Sequence, residues 1–528
     1  MPSFSRHTNS PKPPSSSIFN FSFDSSKMAS GGPETPHRHS VAASDRDSAP
    51  RDVASPRTHA HGVDRVVREL TRYLALLKPS RSGGSEQESS SSSDGAHGLH
   101  VEELLTTPLF SWSVKLALGE LRRRGRAPDA AHFDQFALLG QERGGGDDDR
   151  VVGKSSALNP DGVEPIFLNT NAPWSAFLCG SQGSGKSHTL ACMLEGCLMQ
   201  SKALGRLPEP LQGIVFHCDA WSAGAVCEAA HLCSVGIEVN VLVSPSNYWR
   251  LKEAYGAIPD PKRCLRVINK ILRDMATSAQ RSFEFDYKEF LRRLEKERLS
   301  PDQKGPMNLR LQLLESFMDV DGSKDEDDDI FKPNPGSLTV VDLTDPFVDA
   351  SSACTLFDIC LALFLEDDGS AGRVIALDEA HKYMTDTASS DRFTESLLTC
   401  IRIQRHAACR IIIATQEPTI SPRLLDLCSM TVVHRFTSPA WLSVLRNHLA
   451  GLSPIAGKGD EEVKRLFEEI VTLKVGESLL FAPSAVVRVE EGGRDGEKKI
   501  VKLGTECLRF KTRPRVTNDG GKSVLAIR

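Results

Sequence analysis

Gly180-Ser181-Gln182-Gly183-Ser184-Gly185-Lys186-Ser187 is a complete G-x-x-x-x-G-K-[ST] phosphate-binding loop, and its reading decides the fold. Ser175–Cys179 before it is a short apolar run ending in small residues, as a buried strand would be. From His188 to Met199 the chain reads as a helix, with Leu190, Met193, Leu194 and Leu198 on one side. Glycines let backbone N–H groups turn inward around a polyphosphate, and the helix N-terminus adds partial positive charge. Lys186 is expected to reach the β- and γ-phosphates of ATP, and the Ser187 hydroxyl to hold Mg²⁺. Eight letters can match by chance. Strand, loop and helix in the right order make residues 180–188 a nucleotide-binding set.

A phosphate loop alone does not make an ATPase. Arg373-Val374-Ile375-Ala376-Leu377-Asp378-Glu379 supplies a buried strand with two acids at its C-terminal edge. Asp378 is expected in the Mg²⁺ shell, and Glu379 is placed to orient and deprotonate an attacking water. An ordinary strand end gives the same letters, and only the pairing with the loop makes them a site. Asp378-Glu379-Ala380-His381 also matches the box of a helicase class, but that class's Ser-Ala-Thr and arginine-rich motifs are absent. Too little chain remains after 436 for a second RecA-like domain. The next strand ends in Ile413-Ala414-Thr415-Gln416, which makes Gln416 a candidate sensor of the γ-phosphate. Arg405, with Arg402 one turn earlier, closes the preceding helix. It either caps its own helix C-terminus or reaches a neighbouring subunit's γ-phosphate as an arginine finger.

Around these motifs, short β-branched runs alternate with helical periods from Val163 onward. The runs are 175–179, 213–218, 237–243, 337–342, 373–378, 410–415 and 431–436. Strands alternating with helices predict an α/β fold with a mainly parallel sheet covered on both faces. Residues 1–100 are Ser/Pro-rich and short of large apolar side chains, so they are expected to be mostly disordered apart from a helical island at Val63–Leu77. Residues 101–150 read as a small helical segment, Trp112–Arg124, and a charged linker. The ATPase domain is expected over 151–485, with a helical insertion at about 246–320. Residues 486–528 read as a basic C-terminal tail.

The net charge of −5 over 528 residues selects no partner by itself. Its distribution is more telling: from Lys498 to Arg528 nine Lys/Arg face two acids, while Asp325–Asp329 is a run of five acids. The basic end is either a soluble terminus or a contact for a polyanion or an acidic neighbouring subunit. Thirteen cysteines without C-x-x-C or Cys/His metal spacing read as small buried hydrophobes in a reducing compartment. No apolar run approaches 18 residues, so no membrane span is expected. Intracellular placement follows, nuclear or cytoplasmic, with a mitochondrial transit peptide as the alternative.

Gly180–Ser187, Ser337–Asp342, Val374–His381, Arg405–Gln416 with Glu417-Pro418, and Gly476–Phe481, in this order and spacing, resemble the HerA/FtsK-type P-loop ATPases. The resemblance covers roughly residues 163–485. It implies a RecA-like, additional-strand P-loop NTPase that binds ATP and Mg²⁺, forms a homo-oligomeric and typically hexameric ring, and moves DNA through a central channel. It also implies that Lys186 and Ser187 hold phosphate and Mg²⁺, that Asp378 and Glu379 do metal and water work, that Gln416 senses, and that Arg405 acts between subunits. Family members that process DNA often begin with a small β-barrel, and residues 1–150 show no run of alternating strands for one. No DNA-reading module is visible, so DNA, by way of basic loops and the tail, is implied by resemblance only. A polypeptide-translocating motor and a slow nucleotide-dependent switch or scaffold are the alternatives.

Overall fold

The computed structural model describes residues 66–74, 104–125, 131–143, 163–219, 226–244, 262–263, 334–346, 348–366, 372–418, 420–449, 460–492 and 497–517. The expected N-terminal disorder outside 66–74, the linker at 144–150 and the acidic run at 325–329 lie outside them. So does the helical insertion, apart from a two-residue strand. Residues 66–74 are helical, within the island read at 63–77.

In chain order the strands are β1 (Leu109–Ser111), β2 (Phe136–Glu142), β3 (Pro165–Leu168), β4 (Ser175–Cys179), β5 (Gly205–Arg206), β6 (Gln212–His217), β7 (Glu238–Val243) and β8 (Lys262–Arg263). They continue as β9 (Ser337–Asp342), β10 (Arg373–Asp378), β11 (Cys409–Thr415), β12 (Met430–His434), β13 (Glu477–Phe481), β14 (Val486–Gly492), β15 (Glu497–Lys502) and β16 (Leu508–Thr512). The helices are α1 (Trp112–Arg123), α2 (Lys186–Leu198), α3 (Ala350–Glu366), α4 (Ala388–Ile403), α5 (Pro422–Leu427), α6 (Pro439–His448) and α7 (Asp460–Thr472).

One sheet carries them all. From β12 through β4, β11, β10, β6, β9 and β7 to β8 every neighbour is parallel. Apart from the two-residue β8, these strands carry mostly apolar, buried residues because both faces are covered, which is how parallel sheets are built. On one face α3 to α7 pack a core that includes Phe216, Phe357, Tyr383, Phe393, Leu424, Leu445 and Ile470. On the other, α2 and a 3-10 stretch at Glu228–Val235 bury Leu190, Met193, Leu194, Ala229 and Leu232. The predicted α/β fold with a mainly parallel sheet flanked by helices is the fold found.

Beyond β12 the sheet turns antiparallel through β13, β16, β2, β3 and β1. Here two expectations are corrected. Residues 101–150 are not only a helical segment, since they contribute β1 and β2. Nor are residues 486–512 a tail: β14, β15 and β16 join the sheet, β16 pairing with β2 and β13. In β16 the alternation is regular, with Leu508, Phe510 and Thr512 buried and Arg509 and Lys511 half-buried between them. The basic residues of this stretch are the outward positions of a strand. An aromatic cluster of Tyr73, Phe110, Trp112, Phe136 and Phe167 fills this end, with α1 over it. α1 starts where Ser111 Oγ accepts from Val114 N, and it ends in Arg122 and Arg123, complementing the helix C-terminus.

Candidate active site

The loop leaves β4 at the C-terminal edge of the parallel strands, where open α/β sheets present their ligand crevice. Gly180, Gly183 and Gly185 sit at φ 151°, 70° and 111°. A Cβ on Gly180 would lie 2.7 Å from His434 Cβ, and one on Gly185 would lie 2.9 Å from Gly476 N. Both positions therefore require glycine for conformation and for space. The loop is anchored from outside as well: Ser181 N and Oγ both donate to Arg435 O, and Gly476 N donates to Ser184 O at 3.2 Å. Lys186 is buried at 4% exposure with Nζ 3.2 Å from Ser181 O. Burial pushes its pKa down, opposed by the charges of Glu379 and Asp378. Ser184 Oγ is buried without a hydrogen-bond partner in the floor of this cradle. An orphaned hydroxyl and a buried ammonium in a glycine loop fit an oxygen-rich anion.

Between β4 and β10 lies a single strand, β11, so the acids at the end of β10 face the loop across one strand. Asp378 is 5% exposed. Glu379 follows it in the left-handed region at φ 51°, ψ 42°, an unusual place for a residue other than glycine that costs backbone strain. Gln416, just past the end of β11, donates through Nε2 to both Glu379 carboxylate oxygens, at 3.3 and 3.2 Å, and to Gln182 Oε1 of the loop at 2.5 Å. His381 Nδ1 lies 3.4 Å from Glu379 Oε2. Loop, acid and amide thus meet in one crevice, with Ser187 in the first turn of α2.

Arg405 is elsewhere. It is exposed in the turn after α4, at the start of the seven-residue β11, whose far end carries Gln416. A strand of that length spans roughly 23 Å. Within one subunit it does not reach the loop. His188, one residue past Ser187, points its Nε2 to Arg513 O at 2.7 Å, so that nitrogen carries the proton; burial lowers the pKa of its ring.

Several residues of the site have no linear signature. Pairing of β9, β6 and β10 sets Asp342, His217 and Asp378 side by side at the same edge. His217 Nδ1 is 3.2 Å from Asp378 Oδ2, an ion pair without the alignment of a regular hydrogen bond. Burial would hold this imidazole neutral, but contact with Asp378 and the charges of Asp342 and Asp219 outweigh it and push the pKa up to about 9. Cys227 brings its sulfur into the same cluster, with all three ligand atoms of His217, Cys227 and Asp378 within 4.8 Å of one another. Lys382 closes this side with Nζ 2.6 Å from Asp219. On the other side of β4, His434 Nδ1 donates to Glu477 O at 3.1 Å, so its Nε2 accepts from Thr189 Oγ1, also at 3.1 Å. Thr512 Oγ1 is 2.9 Å from that hydroxyl. Burial and then the nearby Lys186 charge hold the His434 pKa down at about 3. Such residues lie inside apolar strand runs, and only strand order reveals them.

The tail's expected role also changes. Arg513, fully buried, bonds Glu195 at 2.6 Å and the carbonyls of Leu138 and Cys192. Arg515 pairs with Glu228 at 2.9 Å, and Arg509 lies 3.6 Å from Glu477. These three charges hold the C-terminal segment within its own chain.

A glycine loop opening α2, an acid pair one strand away and an all-parallel core define a RecA-like P-loop NTPase fold with an additional strand between loop and acids. No protein-family model and no curated protein sequence matches the chain. Solved structures with a similar fold include HerA/FtsK-type P-loop ATPases, the type the sequence resembles. VirB4 of Thermoanaerobacter pseudethanolicus shares 13% identity over 72% of this chain and 97% of that one, with a TM-score of 0.42. The plasmid coupling protein TrwB in complex with ADP and Mg²⁺ shares 12% over 72% and 96%, TM-score 0.32. The genome packaging NTPase B204 of Sulfolobus turreted icosahedral virus 2, with AMPPCP, shares 12% over 58% and 91%, TM-score 0.27. At these TM-scores the fold class rests on this chain's own strand order and loop geometry. No described helix is long and apolar enough to cross a membrane.

Proposed function

We propose that the chain is an ATP-binding, ATP-hydrolysing P-loop motor whose cargo is DNA. The observation that carries the hydrolysis reading is the bridge Glu379–Gln416–Gln182, which ties a carboxylate to the phosphate loop. In this reading Lys186 and the N–H groups of residues 180–187 hold the phosphates. Ser187 and Asp378 hold Mg²⁺, which when bound supplies a Lewis acid to the phosphate oxygens. Glu379 takes the proton of the attacking water, and Gln416 keeps its carboxylate aimed at the crevice and releases it when phosphate displaces Gln182.

Ring assembly belongs to the same reading: Arg405 is exposed at the strand edge opposite its own loop, where it either caps α4 or serves a neighbour's nucleotide. DNA as cargo rests on the resemblance of motifs, weakened by the internal pairing of Arg509, Arg513 and Arg515. Polypeptide cargo, or a slow switch, is the second reading. The test is ATPase rate with single-stranded DNA, double-stranded DNA, RNA or nothing, taken together with oligomeric mass. DNA-stimulated turnover by a ring supports the motor. Turnover that ignores DNA, with a protein captured only in the ATP state, moves the cargo to polypeptide. Absent turnover from a protein that binds ATP removes the hydrolysis reading.

A further inference from the structure

At the opposite end of α2 from the phosphate loop, roughly 20 Å of helix away, the protein has a cavity of about 860 Å³. Three separate elements build its wall, and each contributes two cations. The helix 66–74 gives Arg68 and Arg72, one turn apart on the same face. From α1 come Lys115 and Arg122, two turns apart and again on one face, and the segment after α2 gives Lys202 and Arg206. One acid, Glu69, lies among the lining residues, and it is already taken. Lys115 Nζ holds its carboxylate at 2.5 Å, and the Tyr73 hydroxyl donates to it at 3.1 Å. Lys115 is fixed there by the Trp112 and Phe136 rings, 4.7 and 5.1 Å from its ammonium.

Arg72, Arg122, Lys202 and Arg206 have no such partner. Among the described residues no carboxylate pairs with Arg72, Arg122, Lys202 or Arg206, and the Nε of Arg122 is buried without a hydrogen-bond partner. Like charges brought together around one concavity repel, and a fold with 69 acids to distribute leaves these four without a carboxylate here. A volume of this size matches the cavities that take drug-sized ligands. The cations surround the space from three directions, whereas a track for a nucleic-acid strand would lay them along a groove. Apolar faces of Phe133 and Leu118 complete the wall.

We propose that this cavity binds a compact small molecule bearing several phosphate groups, held by Arg72, Arg122, Lys202 and Arg206. The site is separate from the nucleotide loop and stands whether or not that loop hydrolyses ATP. Arg122 and Arg206 offer planar forks that take a phosphate through two parallel bonds, while Lys202 adds a point charge at the rim.

The test uses the full-length protein carrying Lys186→Ala, which silences the phosphate loop as a competing anion site. Inositol hexakisphosphate and inorganic tripolyphosphate are titrated calorimetrically, beside single- and double-stranded oligonucleotides of matched charge. Saturable binding of one polyphosphate per chain is expected. It should weaken about tenfold or more in Arg122→Gln/Arg206→Gln protein, from the loss of charge-assisted bonds. Circular dichroism and melting establish that this variant is folded. If it is not, the exposed pair Arg72→Gln/Lys202→Gln makes the same test at the rim. Polyphosphate binding that is absent, or undiminished by the folded variant, overturns the site. Tighter binding of an oligonucleotide, lost through the same substitutions, overturns the small-molecule assignment in favour of nucleic acid.

Discussion

Two buried histidines flank the phosphate loop, and the same side chain is held in opposite states. His217 is on β6, on the side of the acids, at 5% exposure; His434 is on β12, on the other side of β4, at 0%. Burial pushes both imidazoles toward neutrality. Around His217 the carboxylates of Asp378, Asp342 and Asp219 reverse that push. Beside His434 the Lys186 charge adds to it. The loop therefore sits between an acid-rich half suited to metal and water, and a half where a neutral His434 is held between Glu477 O and the Thr189 hydroxyl. Burial alone does not set a charge state here. The strand neighbours do.

The harshest way to break this asymmetry is Lys186→Ala. It removes the buried ammonium of the loop, and nucleotide affinity is expected to fall by about 100-fold or more, as for a lost charge-assisted phosphate contact in a confined site. A fluorescent nucleotide titration reads it. The same variant should let the His434 pKa rise, measurable by NMR, because the second cause of its depression is gone. Affinity within a few fold of the parent would mean that Lys186 does not touch phosphate.

Glu379→Gln acts on the acid side only. Turnover is expected to drop by about 10²–10⁴-fold, the usual worth of a positioned general base, with nucleotide binding retained. Full activity would remove Glu379 from the mechanism. Adding Arg405→Ala subunits to Glu379→Gln subunits then tests the far strand edge: partial recovery in mixed rings is expected, and none at any ratio counts against a role across subunits.

Opposite pKa shifts predict opposite pH limbs in the nucleotide-free protein. The folded pKa of His434 is depressed to about 3 from an unfolded 6.5, so its contribution is present above pH 6.5 and is lost as pH falls toward 3. For His217, raised to about 9, the contribution is complete below pH 6.5 and is lost as pH rises through 9. Each limb carries about 1.4 kcal/mol per pH unit inside its window. Urea melts across pH 4–10 should show His434→Gln flattening the acid limb and His217→Gln the alkaline one. Either substitution flattening the other's limb would contradict the assignment.

Much of the acid-rich half was legible in the sequence because its evidence is local. The loop is eight contiguous letters, and Asp378-Glu379 ends a contiguous apolar run, so strand, loop and acids could be ordered without coordinates. Gln416 was legible by the same logic of strand ends. His217 and His434 were not, because each sits within a run that reads only as a buried strand. Their partners come from afar in sequence: Asp342 through the pairing of β6 with β9, Glu477 from β13 beside β12, and Thr189 from α2. The C-terminal strands were misread for a related reason. Counting charge over 498–528 hid the period of two in Leu508, Phe510 and Thr512, which turns a basic tail into β16. The placement of Arg405 followed from direction: α4 runs back to the edge that the strands leave from, which composition cannot convey.

The smallest effects should come from deleting single hydroxyls beside His434, and of these Thr189→Val keeps shape but removes the hydroxyl between His434 Nε2 and Thr512 Oγ1. In the parent, His434 Nδ1 donates to Glu477 O, so its Nε2 must accept, and Thr189 supplies the proton. Without it a buried acceptor is left unsatisfied, at a cost of about 1–3 kcal/mol. Thr512→Val removes a hydroxyl from the same chain but leaves the Thr189–His434 bond in place, so it should cost less. Urea melts of the two variants at pH 7.5 compare them directly. Because the lost donor favoured neutral His434, Thr189→Val should also raise that pKa and move the acid limb toward neutral pH, while the alkaline limb set by His217 stays where it was. Equal destabilisation by the two valines, with no shift of the acid limb, would show that the neutral state of His434 owes nothing to Thr189 and follows from burial and Lys186 alone.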